Sequence, residues 1–262
     1  MSTYILPTIP ALILGLIIGL GYSRVVVRFM EQLPLRKPLF GPVTHCHHCH
    51  TDAPLVARLP ILGFLLAKGR CTECQAPRRR RIPITELLLT TAAVWLFISF
   101  PLVSALLHLF MIGVLWAIGW IDYEHWVIPN LLVGLIAIGA VGAVLTGHPD
   151  LEQALWGLGS VTLYLGIIML IHFGLFRNPG LGWGDFKLSI ALSLWLGPFL
   201  SLFTFFSATA IAMLFWVAIG WRLGFDRRRP LQFGPFIAAA ALVFALARVL
   251  DPQVVNHLLL PQ

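Results

Sequence analysis

Long apolar stretches separated by short polar loops occupy most of this chain. Eight such runs stand out, at roughly 5–28, 84–102, 105–121, 128–146, 152–174, 186–200, 202–220 and 233–250. Most lie near the ~20 residues that a helix needs to cross a hydrocarbon layer. In lipid, a helix satisfies its backbone polar groups internally, so each run predicts a helix. Two boundaries are poorly marked, 100–108 and 197–203. There Pro101, Gly197 and Pro198 predict tight turns inside nearly continuous apolar sequence. The first run opens without a basic segment and has no small-residue cleavage site after it. It therefore reads as a retained helix, not a signal peptide.

Composition agrees with this pattern. Hydrophobic residues make up 58% of the 262 positions and charged residues 11%, well below the ~25% charged residues of soluble domains. The net charge of +7 would suggest nucleic acid in a soluble protein. Here the basic residues sit in a few loops between apolar runs, which argues for membrane orientation and against a nucleic-acid partner. With eight crossings, every Lys and Arg except Arg248 falls at or near one side, including Arg24, Arg28, Arg36, Lys37, Arg177, Lys187 and Arg227 to Arg229. That side is the cytoplasm. Both termini are then expected outside it. The run Arg78 to Arg81 predicts a cluster facing lipid headgroups ahead of the second span.

One soluble module is expected, the cytoplasmic loop 29–83. It holds every cysteine of the chain: Cys46, Cys49, Cys71 and Cys74, two C-x2-C knuckles. A two-residue gap lets two thiolates converge, and two such pairs complete a tetrahedral site, for which zinc is the expected occupant. Four thiolate ligands leave no open position, so the metal would be structural. A reducing compartment disfavours disulfides. Four free or redox-active thiols are the simpler alternative. His45, His47, His48 and His50 crowd the first knuckle and leave its ligand assignment open.

Acidic residues are scarce, 11 in all. Two stand where apolar sequence meets the cytoplasmic side. Asp122 ends the third span, shortly before Pro129 and Asn130. Asp185 follows a glycine-rich stretch containing Gly180, Gly182 and Gly184 and precedes Lys187. An ionisable group at this boundary is costly and usually functional. Two carboxylates brought together share a proton, which suits general acid–base attack of water on a peptide carbonyl. Either aspartate alone would pass for a helix-end residue, Asp185 as an N-cap. Glu124 is a neighbouring alternative to Asp122. The chain contains neither G-x-S-x-G nor H-E-x-x-H.

Taken in order, these motifs resemble the bacterial prepilin peptidases, the type IV leader peptidase family. The ordered set comprises a first span, the double C-x2-C loop, D-x6-P-N at Asp122–Asn130, G-x-G-D-x-K-L at Gly182–Leu188 and FGPF at Phe233–Phe236. The stretch with Pro83 and Glu86 resembles the family's lead-in to the second span. The resemblance covers nearly the whole chain and implies an inner-membrane aspartic protease with Asp122 and Asp185 as its catalytic pair. Gly182, Gly184, Lys187, Pro129, Asn130 and Glu86 would support them. It implies substrates that are type IV prepilins or type II secretion pseudopilins, cut on the cytoplasmic side after a glycine. It also implies S-adenosylmethionine-dependent methylation of the new amine, a function associated with the cysteine module.

The sequence departs from the family pattern in three places. Arg24 stands where an asparagine is usual, the first knuckle lacks its proline, and Ala57-Arg58-Leu59-Pro60 replaces a more polar stretch. These departures bear more on methylation than on proteolysis. The expected architecture is an all-α polytopic bundle of about eight transmembrane helices with a small cytoplasmic zinc lobe. Its parts are 1–28, the first helix; 29–83, the zinc lobe and candidate methyltransferase part; and 84–262, a seven-helix peptidase domain. The competing functions are a membrane transporter and an inactive scaffold of a pilus or secretion system.

Overall fold

The computed structural model describes residues 8–32, 46, 48–49, 51, 61–147, 149–177, 180–226 and 231–250. Its elements are helical: α1 Thr8–Gln32, α2 Leu62–Leu66, α3 Arg81–Ser99, α4 Leu102–His125, α5 Asn130–Leu145, α6 Leu151–Phe176, α7 Trp183–Leu223 and α8 Gly234–Leu250. The chain divides into two compact units, Met1–Gly113 and Val114–Gln262.

The first unit is built on α1 packed against α3. One face of α1 is a row of small residues, Ala11, Gly15, Gly19 and Ser23, all buried. A side chain on Gly15 would come within 2.8 Å of Val94 Cα, and one on Gly19 within 2.8 Å of Thr90 Cα. The backbones approach this closely only because the row repeats every four residues along one stripe. Between α3 and α4 the chain turns within two residues. Phe100 is extended, at φ −132° and ψ 156°, the conformation that a following proline favours. Tyr22 reaches from α1 to α4, where its hydroxyl donates to the Phe110 carbonyl at 2.8 Å.

The second unit contains the rest of α4 and α5 to α8. Asp150 caps α6 by accepting from the Gln153 amide at 2.8 Å, and α6 ends at Arg177 in the left-handed region. The 41-residue α7 is broken at Gly197, with φ 75° and ψ −179°. That backbone region is open essentially to glycine alone. The two arms, 183–196 and 198–223, fold back on one another there. Asp185 and Thr209 line one cavity of about 580 Å³, yet a straight helix would hold them about 36 Å apart. Gly157 of α6 packs on the bend, with no room for a side chain against the Ser193 carbonyl and Gly197. Phe203–Phe244 and Phe215–Phe236 ring contacts join α7 to α8.

Among the described residues, five helices are long and apolar enough to cross a membrane: α1, α3, α4, α6 and α7. Asn130–Leu145 and Gly234–Ala247 are shorter apolar helices. Large apolar side chains cover the surface, Phe206, Leu145 and Trp221 among them, as expected of a lipid-facing exterior. The eight predicted runs all fall on these helices. The break between runs 186–200 and 202–220 falls at Gly197, beside Pro198, where the sequence predicts a tight turn. One detail differs from expectation: α7 begins earlier, at Trp183, which puts Asp185 inside its first turn. The N-cap is Gly182 and not Asp185.

Candidate active site

Asp122 occupies the last turn of α4 and is 6% exposed. Its Oδ2 accepts a hydrogen bond from the Gly234 amide at 3.1 Å. Gly234 opens α8, so this carboxylate meets the free amides and positive pole of a helix N-terminus. A side chain on Gly234 would fall 2.6 Å from Asp122 Oδ2. Two residues before it, Gln232 Nε2 donates to the Tyr123 carbonyl at 2.7 Å. The segment ahead of α8 is thus pinned twice to the end of α4. Beyond Asp122, Trp126 takes φ 59° and donates its amide to the Asp122 carbonyl at 2.9 Å, which ends the helix.

Asp185 lines the same cavity as Phe233, the residue before the Gly234 that binds Asp122. Asp185 Oδ1 is buried and has no hydrogen-bond partner among the described residues. A side chain on Gly182 would fall 2.8 Å from its Oδ2, and one on Gly184 would press on Ile128 at 3.0 Å. The glycine spacing therefore leaves room for the carboxylate on one side and for the α4–α5 junction on the other. Pro129 holds the N-cap position of α5. Asn130, the first residue of α5, accepts at Oδ1 from Lys187 Nζ at 3.4 Å. That contact ties the start of α5 to the start of α7. Glu124 has other partners: it accepts from Trp120 Nε1 at 2.9 Å and lies 3.7 Å from His125 Nε2.

The cavity of about 580 Å³ opens beside Asp185 and runs between α6, both arms of α7 and residues 231–233. The Gly234 and Gln232 contacts were not foreseen from sequence. The FGPF motif was the available signal, since a glycine just before a proline at a helix start offers an unused amide.

The four cysteines form a second cluster, in the first unit. Their sulfurs lie within 4.8 Å of one another, with Cys46–Cys74 at 3.5 Å and Cys49–Cys71 at 3.8 Å. Metal–sulfur bonds of about 2.3 Å give a tetrahedral edge of about 3.8 Å, so the set fits a four-thiolate metal ion. Each close pair joins one cysteine from each knuckle. The His48 amide donates to Cys46 Sγ at 3.4 Å. The second knuckle is closed by the Cys71 amide on the Ala76 carbonyl at 2.9 Å and the Arg78 amide on the Gly69 carbonyl at 2.8 Å. The Thr51 hydroxyl and then its backbone bring the Cys49 thiol down to about 6. Cys74 goes the other way, to about 12: the Ala76 amide opposes the rise, but loss of solvent and the neighbouring thiols outweigh it. Thiols this close resist joint ionisation, a conflict that a bound dication removes. His45, His47 and His50 lie outside the described residues.

Glu86 also belongs to the first unit. It is 8% exposed, and its Oε2 accepts from the Ile61 amide at 2.7 Å. It thereby ties the start of α2 to α3.

Comparison with known proteins follows this division of the chain. Residues 13–100 match the Bacterial Peptidase A24 N-terminal domain, and residues 109–217 match the Type IV leader peptidase family. A Prepilin leader peptidase/N-methyltransferase of Dichelobacter nodosus is 31% identical over 210 residues, covering 77% of this chain and 70% of that protein. The chain belongs to the type IV leader peptidase family. A similarly named protein of Stutzerimonas stutzeri is 30% identical over 90% of this chain and 89% of its own length. One from Burkholderia pseudomallei (strain 1026b) is 32% identical over 82% and 71%. No solved structure matches. Within this leader peptidase family member, both aspartates fall in the second matched segment and all four cysteines in the first.

Proposed function

We propose that this type IV leader peptidase family member removes the leader peptide of type IV prepilins or pseudopilins at the cytoplasmic face of the bacterial inner membrane, then methylates the new N-terminus. The peptidase reading rests above all on Asp122 and Asp185 at one site: Asp185 lines the same cavity as Phe233, the neighbour of the Gly234 that binds Asp122. One of them carries a buried, unpartnered oxygen beside an apolar cavity.

The pair works as a unit and shares one proton. Its ionised member takes a proton from water as the water oxygen attacks the carbonyl carbon of the scissile bond. Its protonated member donates to the carbonyl oxygen as charge develops there. Collapse of the tetrahedral intermediate breaks the carbon–nitrogen bond, and a proton from the pair leaves with the amine. The Gly234 amide holds Asp122 in place during these steps, while Asp185 Oδ1 is left to meet water or substrate. Lys187, Asn130, Pro129, Gly182 and Gly184 set the spacing of the two helix ends.

The second activity has the relatives' named function as its support. S-adenosylmethionine, when bound, would supply the methyl group from its sulfonium and be left as S-adenosylhomocysteine, with a proton lost from the amine. We assign this step to the part of the chain around 29–83, where Cys46, Cys49, Cys71 and Cys74 hold a structural zinc ion and Glu86 anchors the loop to α3. Residues 84–262 form the peptidase part. The basic loops face the cytoplasm and the termini face away from it, with eight passages once the two arms of α7 are counted separately.

Incubating the purified protein in detergent with a prepilin peptide and S-adenosylmethionine tests both activities. Mass spectrometry should show the trimmed peptide, carrying one added methyl. Asp122→Asn and Asp185→Asn should each yield intact peptide. Cleavage by either variant at the wild-type rate would overturn the paired mechanism.

A further inference from the structure

Helix α2 carries its leucines on the outside. Leu62, Leu65 and Leu66 are 58%, 63% and 66% exposed, and their spacing puts them on one helix face. Gly63 is buried, and Phe64 turns back onto Gly69, where a side chain would stand 2.9 Å from its ring. The depth of this short helix is fixed at both ends. At its start, the Ile61 amide donates to Glu86 Oε2 at 2.7 Å. Glu86 lies in the second turn of α3, about 7.5 Å along the helix from Arg81. Helix α3 has 19 residues. At about 28 Å it has no length to spare against a hydrocarbon layer of about 30 Å. Its first two turns therefore lie at the membrane boundary, where Ile84 and Leu87 are themselves exposed. Ile61 lies there with them. Beyond α2, the Arg78 amide donates to the Gly69 carbonyl at 2.8 Å, three residues before α3 begins. The leucine face thus lies between the level of Glu86 and that of Arg78. Lys68 and Arg70 follow it at the Arg78 end, and both are exposed, as are Arg79 and Arg80.

We infer that α2 is an interfacial membrane anchor. Leu62, Leu65 and Leu66 enter the acyl chains of the leaflet at the start of α3, and Lys68, Arg70, Arg79 and Arg80 hold the phosphates of its anionic phospholipids. Two observations select a lipid surface over a protein partner. The leucines share their depth with the exposed apolar side chains of the first turns of α3, which lipid already surrounds. The order of the side chains also matches a bilayer, with leucines toward the Glu86 level and cations toward the outer one. Between Ile61 and Arg80 the chain has five basic residues and a single acid, Glu73, which suits anionic headgroups. The anchor bears on the cysteine cluster. Cys71 follows Arg70 directly, and its amide closes the second knuckle on the Ala76 carbonyl at 2.9 Å. Lipid contact at α2 therefore holds that knuckle at the membrane surface.

The test uses the full chain in nanodiscs of phosphatidylethanolamine and phosphatidylglycerol. A nitroxide is attached through p-acetylphenylalanine at position 65, which spares the native cysteines, and at position 73 for comparison. Power saturation then compares collisions with oxygen, which concentrates among acyl chains, and with a water-soluble nickel chelate. Position 65 should favour oxygen and position 73 the chelate. Chelate-dominated relaxation at 65 would overturn the inference in favour of a solvated helix. Exclusion of both reagents would overturn it in favour of a protein contact, such as a second copy of the chain. The headgroup contact is read separately. Lys68→Gln with Arg70→Gln should weaken phosphatidylglycerol binding, titrated by native mass spectrometry, by about fivefold for each charge removed, and leave phosphatidylethanolamine binding unchanged. An equal effect on both lipids, or none on either, would overturn that contact. Neither readout depends on cleavage of a prepilin.

Discussion

Gly234 donates its amide to Asp122 Oδ2 at 3.1 Å, and the place where its side chain would stand is 2.6 Å from the same oxygen. Alanine at 234 keeps the amide but pushes the carboxylate aside. Misplacing a reacting group by about 1 Å can cost on the order of a hundredfold in rate. Gly234→Ala should therefore lower kcat for prepilin cleavage by about ten- to a hundredfold, with KM and the melting temperature little changed. Gly159→Ala is the matched control, because nothing lies within 4 Å of its added carbon, and its kinetics should equal those of wild type. Asp122→Asn keeps an acceptor for the Gly234 amide, so its fold should survive while cleavage falls by about a thousandfold or more. A lost fold would mean that the carboxylate is needed for packing. The two aspartates were legible in the sequence because acids are so rare among these apolar runs. Their partner was not, since the amide that orients Asp122 lies 112 positions away and only folding shows which helix start faces it.

Helices meet here through small residues, and that sets what each element tolerates. Along α1, Gly15, Gly19 and Ser23 lie against α3, whereas Gly21 has nothing within 4 Å. Lipid tails are as apolar as leucine, so close packing and not water exclusion holds such a pair together. Gly19→Val should destabilise the protein by about 1–3 kcal/mol, read as a fall in melting temperature in detergent, and Gly21→Val should leave it nearly unchanged. At the α7 bend, Gly197→Ala puts a side chain on a backbone at φ 75° and ψ −179°, a strain of about 1–3 kcal/mol. The apolar runs marked these helices well because crossing lipid demands length and hydrophobicity at once. The Gly197–Pro198 step marked the turn between the two arms of α7, since glycine and proline punctuate a chain even without polar residues. The apolar runs placed the start of α7 too late, because Trp183 and Gly184 look like loop sequence until Gly184 packs beside Ile128. The convergence of the four cysteines was legible from spacing alone, since each C-x2-C turn brings its two thiols together. Their metal should appear as one zinc per chain by elemental analysis and be lost in Cys74→Ser.

The fold-back of α7 also decides the topology of the chain in its membrane. Were α7 a single crossing, Arg177 and Lys187 at its start and Arg222 at its end would lie on opposite faces, and the basic bias of the loops would be lost. With two crossings they share a face, together with the α4–α5 junction that Lys187 touches through Asn130 and that Gln232 touches through Tyr123. Both aspartates are then presented at that face, and the turn between α5 and α6 around Thr146 lies at the opposite one. A membrane-impermeant maleimide distinguishes these cases. In spheroplasts, Thr146→Cys should be labelled, while Asp226→Cys and the four native cysteines should react only once the membrane is opened. Labelling of Asp226→Cys from outside would mean that α7 crosses once. It would also separate the start of α7, with Asp185, from the end that leads to Gly234. The hydrogen bond from the Gly234 amide to Asp122 would then have to form across the membrane, which the 3.1 Å contact forbids. The topology and the active site consequently stand or fall together, and the labelling experiment tests the site without measuring its activity.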